Sequence, residues 1–271
     1  MKVLFLDAYN LIHRARSGFT KGDYAIVYNF FRGIRPLVER FSPDKVYFVL
    51  EGNPKFRNEL LGGEYKAGRT NPGNHFHRQK AIIINLVKSF LPFTTVKHTE
   101  FECDDVIATF VAKHADAGDE CTIISSDSDF IQLYNAFENL TIYNPIRKKN
   151  VERPDYDYVT WKALRGDKTD AISGIPGIGD KTATKLVNNP SLLQETLRDN
   201  IKRQIFERNV NLIRLVDLRA RLNEIEMTEN THFDTEEMYG VFDDFGFNTM
   251  LKEKTWNKYV ETFIPLTNHD D

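Results

Sequence analysis

Three short apolar segments, each followed by acidic residues, most strongly constrain how this chain folds. They span residues 3–6, 46–50 and 121–125. Their β-branched and aromatic composition, short length and nearly continuous hydrophobicity are typical of strands buried on both faces of a parallel sheet. The acids that follow them are Asp7, Glu51, Asp127 and Asp129. Because the carboxyl ends of parallel strands meet at one edge, we expect these acids to converge there.

Helical patterns lie between the apolar segments. They cover residues 24–41, 78–91 and 104–115, and Pro36 is expected to kink or break the first of them. Residues 94–98 and 140–143 are candidate further strands. Strands that alternate with helices predict an α/β fold, with a mostly parallel central sheet and helices on both faces.

Two stretches depart from this alternation. Residues 62–76 are polar and rich in glycine, which predicts a long surface loop or a mobile lid. After about residue 157 the strand signal stops, and the remaining chain has the pattern of helices and loops. We therefore expect an α/β core over residues 1–157 and a helical C-terminal lobe over residues 158–271.

Further acids extend the expected edge cluster. They are Glu102, Asp104 and Asp105 where a helix begins, and Asp167 and Asp170 in a later GDKTD segment. Taken alone, these acids are equally compatible with helix capping. Gathering so many carboxylates in one crevice costs several kcal/mol through repulsion and desolvation unless cations are present. Hard oxygen ligands with no His or Cys nearby indicate Mg²⁺ or Mn²⁺ rather than zinc, and two such ions would clamp a phosphodiester.

The charge of the chain is unevenly distributed. The net charge of −3 argues weakly against nucleic acid as a partner, but residues 54–88 hold seven Lys or Arg against two acids. The predicted lid over residues 62–76 lies within this basic stretch, and we call it the basic lid. Its candidate contacts for a phosphate or a base are Tyr65, Lys66 and Arg69, and a solvated loop is the alternative. Arg14 is a candidate phosphate contact or an ordinary surface residue.

The cysteine count and the length of the apolar runs indicate where in the cell the protein is expected. Cys103 and Cys121 cannot form a disulfide framework, which makes a reducing cytoplasm the default expectation. No apolar run approaches the roughly 20 residues of a membrane span, so we expect no membrane association.

In the segment GIPGIGDKTATKLV, residues 174–187, three glycines surround Pro176 and a helix then starts. It is not a nucleotide-binding P-loop, because Asp180 separates the last glycine from Lys181. A hairpin between two helices that grips a DNA backbone fits better, and a helix–turn–helix without a ligand remains the alternative. The candidate DNA contacts in this segment are Gly174, Gly177, Gly179, Lys181, Thr182 and Lys185.

Together these segments resemble the flap-endonuclease superfamily, most closely the 5′-nuclease domains of bacterial DNA polymerase I and stand-alone bacteriophage 5′-nucleases. The likeness covers nearly the whole chain. The matching stretches are LDAYNLIHRA, FRNELLGGEYKAGR, FECDDVIATFV, SSDSDFIQL and GDKTDAISGIPGIGDKTATKLV. The resemblance implies a core of the kind found in PIN-type nucleases, a helical arch at about residues 54–88 and a helix–three-turn–helix element at about residues 166–188.

The resemblance also implies the roles of the site residues. The first metal would be surrounded by Asp7, Glu51, Glu102, Asp104 and Asp105. The second would be held by Asp127, Asp129, Asp167 and Asp170, with Asp127 shared. Lys66 and Arg69 would be basic arch residues beside the 5′ single strand. The hairpin would grip duplex DNA and carry a K⁺ ion on backbone carbonyls.

Two positions depart from the family pattern. Glu51 stands where Asp is usual, which moves a carboxylate by one methylene. Ser128 stands where Lys is common, which removes a positive charge between Asp127 and Asp129. No polymerase segment follows residue 271, from which we expect a free-standing nuclease.

The sequence thus predicts a two-metal 5′→3′ exonuclease and 5′-flap endonuclease acting on branched or 5′-ended duplex DNA. RNA–DNA primers are a further candidate substrate. We expect a monomer that serves replication or repair, alone or with replication proteins, in the cytoplasm of a bacterium or a phage-infected host. The rival interpretation is a catalytically weakened DNA binder of the same fold. A PIN-type RNase would lack the hairpin and the arch, and a haloacid dehalogenase phosphatase would need Asp where Tyr9 stands.

Overall fold

A seven-stranded sheet organises the computed structural model, which describes residues 1–18, 22–60, 65–66 and 71–267. Its five central strands are parallel, and an antiparallel strand flanks each side. The strands are β1 (Lys2–Asp7), β2 (Lys45–Val49), β3 (Thr94–Lys97), β4 (Glu120–Ile124), β5 (Leu140–Asn144), β6 (Lys149–Asn150) and β9 (Glu226–Glu229). Their spatial order is β6-β5-β4-β1-β2-β3-β9. A separate short hairpin pairs β7 (Gly166–Asp167) with β8 (Ile172–Ser173).

Eleven α-helices are described alongside these strands. They are α1 (Ala8–Arg16), α2 (Ala25–Phe41), α3 (Lys55–Leu60), α4 (Asn74–Phe90), α5 (Cys103–Asp116), α6 (Tyr158–Arg165), α7 (Asp180–Val187), α8 (Pro190–Thr196), α9 (Asn200–Ile213), α10 (Thr235–Asp244) and α11 (Glu253–Phe263). The predicted α/β class is therefore confirmed, as are the five predicted strands. The expected break at Pro36 is wrong, because α2 continues on both sides of it.

The central strands are buried on both faces, which explains their continuous hydrophobicity. Along β1, Leu4 and Leu6 pack into a cluster with α1, α2 and α4. Val3 and Phe5 point the other way, into a second cluster with α5. Alternate residues of one strand thus serve two cores, as the pleat requires.

The register brings the strand ends into line. Asp7 of β1 pairs with Val49 of β2, and Leu6 pairs with Ile124 of β4. The residues that follow these strands therefore leave the sheet at the same edge, where the predicted acids are expected.

The last part of the chain returns to the sheet. Strand β9 pairs with β3, and Met238, Phe242 and Phe263 of α10 and α11 pack into the same cluster as Leu4 and Phe48. The expectation that strands end near residue 157 is therefore wrong. Helices α6–α9 pack around two small clusters of their own, and a boundary near residue 157 stays a prediction.

Candidate active site

Asp7 is at the centre of the sheet edge, where it ends β1 and caps the N-terminus of α1. Its Oδ1 accepts a 3.0 Å hydrogen bond from the backbone N–H of Asn10, and its Oδ2 accepts one of 2.7 Å from Ser125 Oγ. Burial raises the pKa of Asp7 to about 7; the hydrogen bonds oppose this shift, and the charges of Asp127 and Glu51 add to it. A buried carboxylate beside other carboxylates is a position that a cation would stabilise.

Residues from the start of α5 and from the end of β2 lie beside Asp7. Cys103 Sγ at the start of α5 lies 3.7 Å from Asp7 Oδ1 and 3.3 Å from Asp104 Oδ1. One potential ligand atom from each of these three residues lies within 4.8 Å of the other two. Glu51, just after β2, is hydrogen-bonded to Cys103, and burial raises the pKa of Glu51. We call Asp7, Glu51, Cys103 and Asp104 the first acid group.

Asp104 shows how crowded this group is. Burial raises its pKa well above the usual range, and the charges of Asp127, Asp7 and Glu51 raise it further. Lys66 acts in the opposite direction. The carboxylates of this group therefore repel each other in a buried setting, which is the condition under which a divalent ion binds.

A second acid group lies on the other side of Asp127. Oxygens of Asp129, Asp167 and Asp170 lie within 4.8 Å of one another. Asp129 begins a 3₁₀ helix, Asp129–Asn135, whereas Asp167 and Asp170 belong to the β7–β8 hairpin. Burial raises the pKa of Asp129 to about 6, against the attraction of Lys162. The core and the hairpin thus contribute to one pocket.

Lys162 on α6 supplies the cation of the second group. Its Nζ contacts Asp129 Oδ1 and lies 2.5 Å from Asp167 Oδ2. Although burial opposes the shift, the charge of Asp129 raises the pKa of Lys162. Lys162 thus places a positive charge from α6 against two of the predicted second-metal ligands.

Asp127 joins the two groups. Its backbone N–H donates a 3.0 Å hydrogen bond to Ser125 Oγ, and its Oδ1 accepts a 2.9 Å bond from the backbone N–H of Asp129. Its charge raises the pKa of Asp7 and Asp104 on one side and of Asp129 on the other. The prediction that Asp127 is shared by two metal ions stays a prediction.

Asp105 and Glu102 have different partners from the predicted ones. Both oxygens of Asp105 bind Arg57, at 2.6 and 2.8 Å, and Oδ1 also accepts the backbone N–H of Val216. Glu102 accepts hydrogen bonds from Arg57, Tyr65 and Lys66. Asp105 is fully buried and its oxygens accept bonds from Arg57 and Val216, and its role as a ligand of the first metal stays a prediction. The charge of Glu102 also raises the pKa of Glu51, and the role of Glu102 as a metal ligand stays a prediction.

The basic lid is described only in part. Lys66 Nζ binds Glu102, and its charge acts on Asp104 and Glu51. Tyr65 is 7% exposed, with its hydroxyl on Glu102, so its ring is not available to stack on a base as predicted. Arg69 lies outside the described residues.

The glycine hairpin connects α6 to α7. A Cβ at Gly174 would lie 2.1 Å from the carbonyl oxygen of Arg165, so this glycine permits a close backbone approach within the hairpin. Gly177, with φ of +81°, and Gly179 have open space around them. Ala183 and Leu186 of α7 are buried. The exposed residues of α7 are Asp180, which pairs with Arg165, and the predicted contacts Lys181, Thr182 and Lys185.

Arg14 lines a groove of about 840 Å³ between α1, α2 and the β5–β6 turn, and none of the described residues that line this groove is acidic. Arg32, Arg40 and Lys148 line the same groove. Its role as a DNA contact stays a prediction.

Four residues of the site were missed from the sequence. Cys103 contradicts the expectation of no cysteine near the acids, although its position between Glu102 and Asp104 was a signal. Lys162, Arg57 and Ser125 lie within ordinary helix or strand patterns, and nothing in their spacing marks them.

The donor set fits hard divalent ions. Carboxylate oxygens from separate segments surround both positions, and Cys103 adds a single sulfur to the first. Six residues fit as holders of the ions, with Asp127 between them. They are Asp7, Glu51 and Asp104 for one ion and Asp129, Asp167 and Asp170 for the other.

The chain belongs to the 5′-3′ exonuclease family. Residues 2–163 match the model of the N-terminal resolvase-like domain, and residues 154–240 match that of the C-terminal SAM fold. Among curated relatives, the thermostable DNA polymerase I of Thermus thermophilus is 29% identical over 93% of this chain and 33% of the polymerase. DNA polymerase I of Bacillus caldotenax is 27% identical over 93% of this chain and 32% of its own length. The chain thus spans about a third of these relatives.

Solved structures share the fold. The bacteriophage T5 D15 flap endonuclease, in complex with DNA and metal ions, matches with a TM-score of 0.66 and 17% identity. The match covers 99% of this chain and all of the phage protein. Human GEN1 in complex with Holliday junction DNA matches with a TM-score of 0.53 and 16% identity, over 98% of this chain and 71% of GEN1. Among the described residues, no helix combines the length and apolar character needed to cross a membrane.

Proposed function

We propose that this chain is a metal-dependent 5′→3′ exonuclease and structure-specific 5′-flap endonuclease that hydrolyses phosphodiester bonds in DNA. The observation that carries the proposal is the gathering of two acid groups around Asp127 at one sheet edge. One group comes from the ends of β1 and β2 and the start of α5, and the other combines the core with the hairpin. Family membership supports the same reaction class.

Two Mg²⁺ or Mn²⁺ ions, when bound, would supply charge neutralisation and an ionised water. The residues of the chain would hold these ions and orient the carboxylates that bind them. Ser125 and the N–H of Asn10 fix the carboxylate of Asp7, and Asp127 lies between the two groups. Lys66 beside the first group, with Arg69, would offset charge on the scissile phosphate.

The substrate we propose is branched or 5′-ended duplex DNA, with RNA–DNA primers as a further one. The exposed residues Lys181, Thr182 and Lys185 would contact the duplex backbone next to the open turn at Gly177 and Gly179. We further propose a K⁺ ion on the hairpin carbonyls, and a monomer acting in replication or repair in a bacterial or phage-infected cytoplasm.

The test is cleavage of a duplex carrying a 5′ flap labelled at its 5′ end. We expect product with Mg²⁺ or Mn²⁺ and none with EDTA. Asp7→Asn and Asp129→Asn should abolish most product while leaving flap binding largely intact, because each removes one ligand charge. Asp155→Asn, an exposed carboxylate, is the matched control and should cleave normally. No cleavage by the unmodified protein with either ion would reject the enzyme proposal.

The rival function, a weakened DNA binder, depends on Glu51. Its longer side chain is hydrogen-bonded to Cys103 and lies within the first acid group. This position favours a functional role for Glu51 in holding the first ion. Under our proposal, Glu51→Asp cleaves the flap as fast as the unmodified protein or more slowly. If the unmodified protein bound flaps without cutting and Glu51→Asp restored cutting, the rival would be correct.

A further inference from the structure

The groove that Arg14 lines carries an uncompensated positive charge. Three separate elements contribute its cations: α1 contributes Arg14, α2 contributes Arg32 and Arg40, and the β5–β6 turn contributes Lys148. No acid is among the described residues that line the groove, and none of these four cations forms an ion pair within the described part of the chain. In a protein of net charge −3, such a local excess of cations is complementary to an anionic partner.

The floor of the groove is apolar. Its buried lining side chains are Leu11 of α1 and Phe30, Ile34 and Leu37 of α2. Beside them on the turn, the side chain of Ile146 is 62% exposed. An occupant that matches the groove therefore carries apolar side chains as well as negative charge.

This combination favours a peptide over nucleic acid. Single-stranded DNA gains affinity by stacking its bases on exposed aromatic faces. The aromatic rings that line the groove, Phe30 and Tyr143, are 3% and 4% exposed, and the guanidinium of Arg40 lies over the Tyr143 ring at 4.8 Å. Duplex DNA presents phosphates and sugars, which gain nothing from an apolar floor. The groove volume of about 840 Å³ is comparable with that of about two turns of α-helix, side chains included.

We propose that this groove docks an acidic, amphipathic peptide segment of a partner protein. The apolar side chains of the segment pack on the floor, and its Asp and Glu side chains pair with the four cations. The site is separate from the acid groups, because none of their residues lines the groove. At 1.5 Å per helical residue, Arg14 lies about 10 Å along α1 from Asp7. A docked partner would therefore hold the enzyme close to the acids without covering them.

The probe is a fluorescein-labelled synthetic peptide of about ten residues, with Leu on one helical face and Glu elsewhere. One control peptide replaces Leu by Ser and keeps the charge, and the other replaces Glu by Lys and keeps the apolar face. Fluorescence anisotropy should give a Kd of about 10–100 μM for the probe at low salt, weakened by added salt. Both control peptides should bind at least about tenfold more weakly.

Variants of the protein locate the binding. Arg32→Glu combined with Lys148→Glu should weaken probe binding at least about tenfold, because attraction at two exposed positions becomes repulsion. Ile146→Asp should weaken it at least about threefold. The matched control is Lys113→Glu combined with Lys254→Glu, two exposed cations outside the groove, and it should bind the probe normally. Thermal unfolding checks that each variant is folded, and cleavage of a 5′ flap with Mg²⁺ should be unchanged in all of them.

The remaining outcomes separate this inference from the proposed function. Equal binding of the probe and the Ser peptide, or equal binding by the groove and control variants, would overturn it. If the groove variants instead lost affinity for labelled single-stranded or flap DNA and the probe did not bind, the groove would be a nucleic-acid site and the inference would be wrong. Specific probe binding by a protein that cleaves no flap would leave the inference standing and reject the nuclease proposal alone.

Discussion

Arg57 binds both carboxylate oxygens of Asp105, at 2.6 and 2.8 Å, and so ties α3 to the first turn of α5. The same guanidinium reaches the backbone carbonyls of Leu212 and Arg214, at the end of α9. One buried side chain thus connects the short helix α3, the core and the end of α9.

Replacing Arg57 by Met should destabilise the protein by about 3–5 kcal/mol, because Asp105 would be left as an unpaired buried charge. Denaturant unfolding measures the change. The control is Arg221→Met, which removes an exposed pair with Glu224 and should cost less than about 1 kcal/mol. Similar losses in both variants would contradict the role given to Arg57.

Without metal, the protein should lose stability as the pH rises from about 4 to about 7. Burial raises the pKa of Asp7 to about 7 and that of Asp129 to about 6, whereas both lose their protons near pH 4 when unfolded. In this window the folded state binds more protons than the unfolded state, so the free energy of unfolding falls with increasing pH.

Thermal unfolding with EDTA and with Mn²⁺ checks this dependence. The stabilisation by Mn²⁺ should be larger at pH 7.5 than at pH 5, because the ion binds the deprotonated carboxylates. Asp7→Asn combined with Asp129→Asn should flatten both curves. The pKa values of Asp119 and Asp167 are lowered. These two groups therefore change the free energy of unfolding only below this pH window. A constant gain from Mn²⁺ across the range would count against the assignment.

Lys162→Met should destabilise the metal-free protein by about 3 kcal/mol, because Asp129 and Asp167 lose their buried cation. Saturating Mn²⁺ should remove most of this difference, since an ion then supplies the positive charge. Unfolding with and without Mn²⁺ measures both values. Lys55→Met breaks an exposed pair with Glu100 and should show a small loss under both conditions. An equal loss with and without the ion would mean that Lys162 and metal do not act on the same charges.

Lys181→Ala should weaken duplex binding and reduce the slope of log K against log salt by about one. The exposed position of Lys181 near the N-terminus of α7 is the reason for expecting a phosphate contact. Fluorescence anisotropy at several salt concentrations gives the slope. Lys258→Ala, an exposed change on α11, should leave it unaltered. A slope that is identical for Lys181→Ala and the unmodified protein would remove Lys181 from the interface.

The parallel core was predictable because burial on both faces leaves a continuous apolar run in the sequence. Asp7 and Glu51 follow directly from where such runs end. The partners of Asp104 and Asp105 were not predictable, since adjacent helical residues point about 100° apart and only packing decides which one faces the edge. The structure turns Asp104 towards Asp7, and Asp105 towards Arg57.

Strand β9 shows a second reason why part of the fold could not be predicted from the sequence. Its residues Glu226–Glu229 are all exposed and carry no buried alternation, so the sequence has no strand pattern there. Backbone pairing with β3 and the ion pair between Lys45 and Glu229 hold it. Lys162 was missed for a related reason, because a lysine in an amphipathic helix is normally exposed.

Because β9, α10 and α11 complete the core, helices α6–α9 are an insertion anchored at both ends rather than a tail attached at one. Lys162 ties α6, at the start of this insertion, to the second acid group. Arg57 binds the backbone carbonyl of Leu212 in α9, at its end. If the hairpin binds duplex DNA as we propose, these two anchors would fix the distance between the bound duplex and the acid groups. That distance would set how many nucleotides separate the duplex contact from the cleaved bond.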